Sequence, residues 1–419
     1  MEHTKKLLIV NAAEVITCRG SFPKRGAAMN DIGVIPGGAV AVEDGLIRAV
    51  GRTADVTAGL DPADYEVVDA AGQCVMPGFV DAHTHFVFAG YREEEFFWRL
   101  AGTPYLEILG RGGGILSTVL ATRAASLAAL KDLGRKRLDA MLAMGVTTVE
   151  GKSGYGLDLD TELRQLQAMV ELDSEHPVDV VPTFMGAHAV PADYKGRTDE
   201  YVQFLTDTVL PAVAGKGLAA FCDVFCEQGI FSVEQSRVIL RKAQQLGLKA
   251  KLHADEIVPL GGAELAAELG ACSADHLLQA SDAGIAALAK AGTVATVLPM
   301  TAFCLREQYA RARQMIDAGA AVALASDYNP GSCFSHSLPL VMALAAINLR
   351  LSPAEIVTAL TINAAAAVGR ADRVGSLEPG KQADIVILKY PSHLFLVYHA
   401  GMNIVDKVVK KGALVWENN

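Results

Sequence analysis

Hydrophobic and polar positions change rhythm twice along this chain. Over residues 5–17 and 37–51 the apolar side chains fall in short runs. Glu43-Asp44-Gly45 separates Ala39-Val40-Ala41-Val42 from Leu46-Ile47-Arg48-Ala49-Val50, a hairpin signal. Residues 19–36 carry Gly, Pro and Asn with little periodicity and read as a loop, so the first seventy or so residues are expected to be all-β. From Val75 the pattern becomes apolar runs that end in polar groups: Val75–Asp81, Val146–Glu150, Val178–His188, Ala219–Cys226, Leu248–His253, Ala271–His276, Thr293–Leu298 and Ala321–Asp327. Between them, 124–144, 160–173, 232–246, 261–269, 281–291 and 306–318 have the spacing of helices. After Arg370 strand character returns in 375–388 and in an expected hairpin over 406–416.

About eight strand–helix units over some 300 residues are the content of a parallel barrel. The expected fold is α/β: a (β/α)8 TIM-type barrel over 74–371, with a small β-sandwich domain built from both chain ends, 1–73 and 372–419. A doubly wound open sheet fits less well, because no Gly-x-Gly-x-x-Gly follows the first strand. Gly112-Gly113-Gly114 lies in a long loop without a preceding strand and reads as a lid or turn.

Composition narrows the function. The chain is 51% hydrophobic and 20% charged, as expected of a large buried interior, and its net charge of −10 disfavours binding driven by phosphate neutralisation. No nucleic-acid or membrane partner is therefore expected. Seven scattered cysteines, with only Cys222 and Cys226 closely spaced, suit a reducing compartment. The first residues, Met-Glu-His-Thr-Lys-Lys, lack the apolar core of a signal peptide, and no apolar run reaches membrane-spanning length. A soluble cytoplasmic protein is expected.

The candidate chemistry sits where the strands end. Met76-Pro-Gly-Phe-Val-Asp-Ala-His-Thr-His85 stops on two histidines one residue apart, which a strand projects to the same side. Later strands end in His188, His253, His276 and Asp327, so five of the ten histidines fall on one predicted rim. Imidazoles with one carboxylate suit zinc or iron, and His83, His85, His253 and Asp327 are the expected ligands of one Zn2+ or Fe3+ per chain. A second ion is not expected, since the fourth strand ends Val224-Phe-Cys-Glu227 without a lysine. Glu256, three residues past a ligand, and His276 are the candidates for proton transfer. Asp255 reads instead as a helix cap or solvent residue, and Lys152 as support for the loop or the substrate.

These residues resemble the amidohydrolase superfamily, and the loops are similar to those of its imidazolonepropionase family. The resemblance covers nearly the whole chain. Its most specific parts are Phe88-Ala-Gly-Tyr-Arg-Glu-Glu-Glu95, Gly112-Gly-Gly-Ile115, Glu150-Gly-Lys-Ser-Gly-Tyr-Gly-Leu-Asp158 and Met185-Gly-Ala-His-Ala-Val-Pro191. His253-Ala-Asp-Glu256, Ser273-Ala-Asp-His276 and Asp327-Tyr-Asn-Pro-Gly-Ser332 complete the set. The resemblance implies hydrolysis of the ring amide of 4-imidazolone-5-propanoate to N-formimidoyl-L-glutamate in histidine degradation, by a homodimer. It also implies substrate contacts at Arg92, Tyr155, His188, Glu256, Asn329, Gly331 and Ser332. Arg92 offers a bidentate fork for a propanoate tail, and Tyr105 and Tyr155 can hydrogen-bond the carboxylate or stack on the ring. The chain departs from the family pattern at Glu150-Gly151, Ser326 and Cys333-Phe334. A related hydrolase deaminating a guanine-like heterocycle would use the same metal set, and Arg92 discriminates between the two. A barrel that has lost its metal and catalysis is the third reading.

Overall fold

The computed structural model describes residues 6–418, without the side chains of Tyr105, Leu106 and Leu109. Five strands open the chain: β1 (Lys6–Ile16), β2 (Val34–Glu43), β3 (Leu46–Arg52), β4 (Glu66–Asp69) and β5 (Cys74–Pro77). Asp44 and Gly45 both take positive φ, 53° and 76°, the two-residue turn whose twist matches a hairpin. A short helix, Thr53–Thr57, and a 3-10 turn, Gly26–Asn30, interrupt the expected all-β stretch.

The barrel follows with β6 (Phe79–Asp81), β7 (Val146–Lys152), β8 (Asp179–Ala187), β9 (Phe221–Cys226), β10 (Lys249–Ala254), β11 (Ser273–His276), β12 (Val294–Val297) and β13 (Val322–Leu324). These eight pair in chain order, each parallel to the next. The ring is joined by backbone just past the strand ends. Asp327 N–H donates to His83 O at 3.0 Å, and His85 N–H donates to Tyr328 O at 2.9 Å. Three of the expected ligands, His83, His85 and Asp327, thus lie in the seam itself.

The chain ends return as β14 (Ile385–Leu388), β15 (Val405–Lys410) and β16 (Ala413–Glu417). They complete one mixed sheet in the order β16-β15-β14-β5-β1-β2-β3, with β4 also on β1. Its register shifts between Ile9 and Ala12, where Asn11 takes a φ of 59°, so that β1 pairs with β4 along its first half and β5 along its second. Leu7, Ile9, Val40, Val42, Val75, Ile385, Ile387 and Val409 form its apolar cluster.

The run read as one strand over 75–81 is divided at Gly78. Cys74–Pro77 pairs with β1 and β14, while Phe79–Asp81 pairs with β7. Gly78 N–H donates to Asp384 O at 2.9 Å and Phe79 N–H to Gly145 O at 2.9 Å, so the chain crosses between sheets in one residue. A Cβ at Gly78 would lie 2.4 Å from the Thr147 side chain; only glycine fits this crossing. Helices Leu338–Ile347, Pro353–Leu360 and Ile362–Ala367 are not separated by periodicity, because they are apolar and buried nearly all round.

Candidate metal centre and substrate pocket

The barrel strands bring His83, His85, His188, His253, His276 and Asp327 to one end. The rings of His83 and His253 lie 4.5 Å apart, those of His253 and His276 4.9 Å, and those of His83 and His85 5.5 Å. His83 Nε2 stands 3.5 Å and His85 Nε2 3.9 Å from Asp327 Oδ1. Donor atoms of His83, His85 and Asp327 fall within 4.8 Å of one another, and so do those of His83, His253 and His276. His83 is shared by both groups.

Two of the imidazoles are aimed by what their other nitrogen meets. His83 Nδ1 lies 2.7 Å from Asp275 Oδ2, and His253 Nδ1 lies 3.1 Å from Asp223 Oδ1. These contacts place a proton on Nδ1 and leave both Nε2 atoms as lone-pair donors. His83 Nε2 is buried and has no hydrogen-bond partner among the described residues. A buried, unpartnered imidazole nitrogen facing a carboxylate fits a cation between them.

The electrostatics agree. Burial, with Lys152 and the neighbouring imidazoles, holds His83, His85 and His253 well below the ordinary histidine value, so they are neutral at physiological pH, the form a metal ligand needs. Burial also pushes Asp327 up to about 7, although Thr301 Oγ1 at 2.7 Å and Asn329 Nδ2 at 3.1 Å donate to it. A carboxylate buried in this way suits a site for a cation.

Beneath the ring lies an ion cluster that sequence reading missed. Lys152 Nζ sits 2.6 Å from Asp223 Oδ2, 2.9 Å from Glu150 Oε2 and 3.4 Å from Asp275 Oδ2. Lys251 Nζ sits 2.8 Å from Glu150 Oε2 and 3.9 Å from Asp275 Oδ2. All five side chains are fully buried. One ammonium, Lys152, therefore bridges the two carboxylates that orient His253 and His83. The signal was present as charged residues inside apolar strands, such as Asp223 in Phe-Cys-Asp-Val-Phe-Cys and Lys251 two residues before His253.

Glu256 is presented by a tightly held turn. Asp255 Oδ1 accepts from the N–H groups of Leu260, Gly261 and Gly262, and Oδ2 from Ala263, which caps the helix Gly262–Glu268. Glu227 Oε2 accepts from Ile257 N–H at 2.8 Å. Between these anchors Glu256 Oε1 comes 3.5 Å from His276 Nδ1. Burial, with Asp327, Glu227 and Glu307, pushes Glu256 up to about 8, and burial brings His276 down to about 4. Asp255, His276 and Asp327 all take left-handed backbone, with φ of 51°, 73° and 51°. Such strain gathers where side chains must be aimed.

Around this centre, His188 stacks on His85 at 4.9 Å, and its Nδ1 lies 3.1 Å from Gly154 O. Tyr155 is buried against His85, His188 and Phe88. Buried Arg137 donates from Nη1 to the carbonyls of Phe86 and Phe88, fixing the segment that leads to Arg92. Arg92 does pair on its own helix, with Glu95, and its guanidinium also lies against Gly331. Asn329 shapes its loop: its Oδ1 accepts from the N–H groups of Gly331 and Ser332, and its Nδ2 donates to Asp327 O and Ser332 Oγ. Tyr105 begins the helix Tyr105–Gly110, and its side chain lies outside the described residues.

The departures from the family pattern have structural partners. Ser326 donates from N–H and Oγ to Asp81, closing the barrel below the ligands. Glu150 pairs both lysines, and a Cβ at Gly151 would lie 2.7 Å from Phe86. Cys333 Sγ lies 3.5 Å from Ser326 O, and Phe334 packs on Tyr328 and Tyr91.

Residues 74–415 match the amidohydrolase family model. Over 414 residues the chain is 59% identical to the imidazolonepropionase of Parabacteroides distasonis, covering 99% of each. It is 56% identical over 413 residues to that of Clostridium tetani, again covering 99% of each. Among solved structures it resembles E. coli guanine deaminase, with a TM-score of 0.75, 16% identity and coverage of 99% and 100%. It also resembles a zinc-bound adenosine deaminase from Xanthomonas campestris, with a TM-score of 0.72, 22% identity and coverage of 98% and 92%. At these identities the structures speak for the fold alone. The matches over full length and the barrel they share place the chain in the amidohydrolase family, among its imidazolonepropionases.

Proposed function

We propose that this chain opens the ring of 4-imidazolone-5-propanoate by hydrolysing its amide C–N bond, giving N-formimidoyl-L-glutamate in histidine degradation. His83, His85, His253 and Asp327 are the residues that would hold one zinc or iron ion per chain. The observation that carries this is His83 Nε2, buried, without a partner among the described residues and 3.5 Å from Asp327 Oδ1. An ion bound there supplies a Lewis acid that polarises the ring carbonyl and lowers the pKa of water.

The chain's own groups do the rest. Glu256, 3.5 Å from His276, takes a proton from the attacking water as the new C–O bond forms and hands it to the ring nitrogen as the C–N bond breaks, with His276 the other candidate for the first of these transfers. His188, neutral because burial brings it down to about 4, can accept a hydrogen bond from the ring on Nε2 while Nδ1 stays on Gly154. Buried Tyr155 supplies a flat apolar wall and a hydroxyl. Arg92, beside Gly331, receives the propanoate, and the Asn329–Ser332 turn forms the opposite rim.

The exposed aromatic residues Tyr91, Phe97 and Phe334 near the pocket mouth support a homodimer, and a cytoplasmic location fits seven free cysteines. No helix among the described residues is long and apolar enough to cross a membrane. The test is a spectrophotometric assay following loss of imidazolone propanoate with and without chelator. Turnover that stops with chelator and returns with zinc or iron is expected. Undiminished turnover in metal-free protein, or none after metal is restored, overturns the reading.

A further inference from the structure

Three charged side chains on one helix converge on the Gly331 turn, and only Arg92 has so far been given a task. The helix Glu93–Leu100 places Arg92 at its N-cap, Glu95 one turn on and Arg99 near its end. Glu95 is buried. Its two oxygens accept from Arg92 Nε at 2.8 Å and Nη2 at 2.5 Å, a side-on bidentate pair. Glu95 Oε2 also accepts the Gly114 N–H at 2.7 Å, and a Cβ at Gly113 would lie 3.1 Å from the same oxygen. The glycine run is therefore tied to the arginine through one carboxylate. On the far side, a Cβ at Gly331 would lie 2.3 Å from Arg92 Nη1, so the guanidinium rests on the backbone there. Arg99 Nη2 holds the Gly331 carbonyl at 2.6 Å.

A guanidinium has two forks, one side-on through Nε and Nη2 and one end-on through both Nη atoms. Glu95 occupies the first and thereby fixes the plane of the second. Among the described residues Nη1 makes no hydrogen bond and Nη2 keeps one N–H beyond that given to Glu95, so the end-on fork is open beside Gly331, which has no side chain to cover it. Arg92, Glu95 and Arg99 sum to one positive charge, the complement of a single carboxylate.

We propose that Glu95 is a positioning residue for substrate specificity: it locks Arg92 so that the end-on fork receives the carboxylate tail, and it couples that fork to the Gly112–Gly114 segment. This rests on the assignment of Arg92 to the propanoate tail made above. The hydrogen bonds of Glu95 among the described residues go to Arg92 and Gly114, and none to His83, His85, His253 or Asp327. Its loss therefore acts on binding of tailed substrates and leaves the chemical step alone.

The experiment compares metal-loaded wild type, Glu95→Gln, Arg92→Ala and the double variant, on imidazolone propanoate and on the same ring without its acid tail. Glu95→Gln is expected to raise KM for the tailed substrate by about tenfold or more, with kcat within about threefold. It leaves kcat/KM for the bare ring unchanged and adds nothing in the Arg92→Ala background. An unchanged KM, an equal loss on both rings, or a KM rise that persists without Arg92 overturns the proposal. Should Arg92→Ala itself leave KM for the tailed substrate unchanged, the assignment of Arg92 fails instead. Glu95→Asp, which keeps the charge and shortens the reach, gives the same comparison if the glutamine variant does not fold.

Discussion

Lys152→Met is the sharpest perturbation of the proposed metal centre that touches none of the proposed ligands. Methionine fills a similar volume but removes the ammonium that lies 2.6 Å from Asp223 and 3.4 Å from Asp275. Against burial, Asp223, Glu150 and Asp275 hold that ammonium above its ordinary value, so wild type carries the full charge at any physiological pH. Removing one partner of a buried ion cluster costs about 3–5 kcal/mol in stability. The second cost falls on the metal. Asp223 and Asp275 orient His253 and His83 at 3.1 and 2.7 Å, and losing such orientation weakens metal binding by about 10–100-fold. Lys251→Met is the control: Lys251 meets Glu150 at 2.8 Å but reaches Asp275 only at 3.9 Å. It is expected to lower the urea midpoint similarly while changing metal affinity only a few-fold. Chelator competition on both variants, alongside urea unfolding of the metal-free proteins, separates the two costs. Wild-type metal affinity in Lys152→Met would refute the orienting role and leave the cluster a purely structural device.

Three further outcomes follow from the same geometry. His253→Ala is expected to abolish stoichiometric metal loading, read by elemental analysis of purified protein; full occupancy would remove it from the ligand set. Glu256→Gln is expected to keep its metal and lose about 10²–10⁴-fold in kcat, and normal turnover would remove Glu256 from proton transfer. Away from the site, burial raises the Asp179 carboxyl, but Lys410, Lys411 and Gln382 outweigh it and bring it down to about 2. Its stabilising contribution, about 2 kcal/mol, is full above the ordinary carboxyl value near pH 4 and is lost as pH falls through about 2. Asp179→Asn should thus unfold at lower urea at pH 7 and converge with wild type in acid; a constant difference down to pH 2 would contradict this.

The rim of the barrel was legible because His83, His85, His188, His253, His276 and Asp327 come at or just past the ends of apolar runs, and a strand that stops on His or Asp announces itself. Asp255 could be read as a cap or solvent residue because it lies between the end of an apolar run and the helical spacing that begins at 261. The ion cluster was not legible. Lys152 meets Asp223 across 71 residues and Asp275 across 123, and only the register of the strands from β7 to β11 brings such residues level. Periodicity also could not see the division at Gly78, because residues on both sides of it are equally buried. The helix Leu338–Ile347 was lost for want of a polar face. Glu95 stood in a run of three glutamates, and nothing in the sequence distinguishes the one that turns inward.

Gly78 has a consequence for how this protein can be divided. The same segment that completes the terminal sheet becomes, one residue later, the strand delivering His83 and His85. The two sheets are therefore not separable modules: releasing β5 would slacken the first barrel strand at its root. Amide exchange should show Val75 and Val80 opening together, and a chain shortened to begin at Phe79 should lose the placement of His83 and His85 along with its sheet.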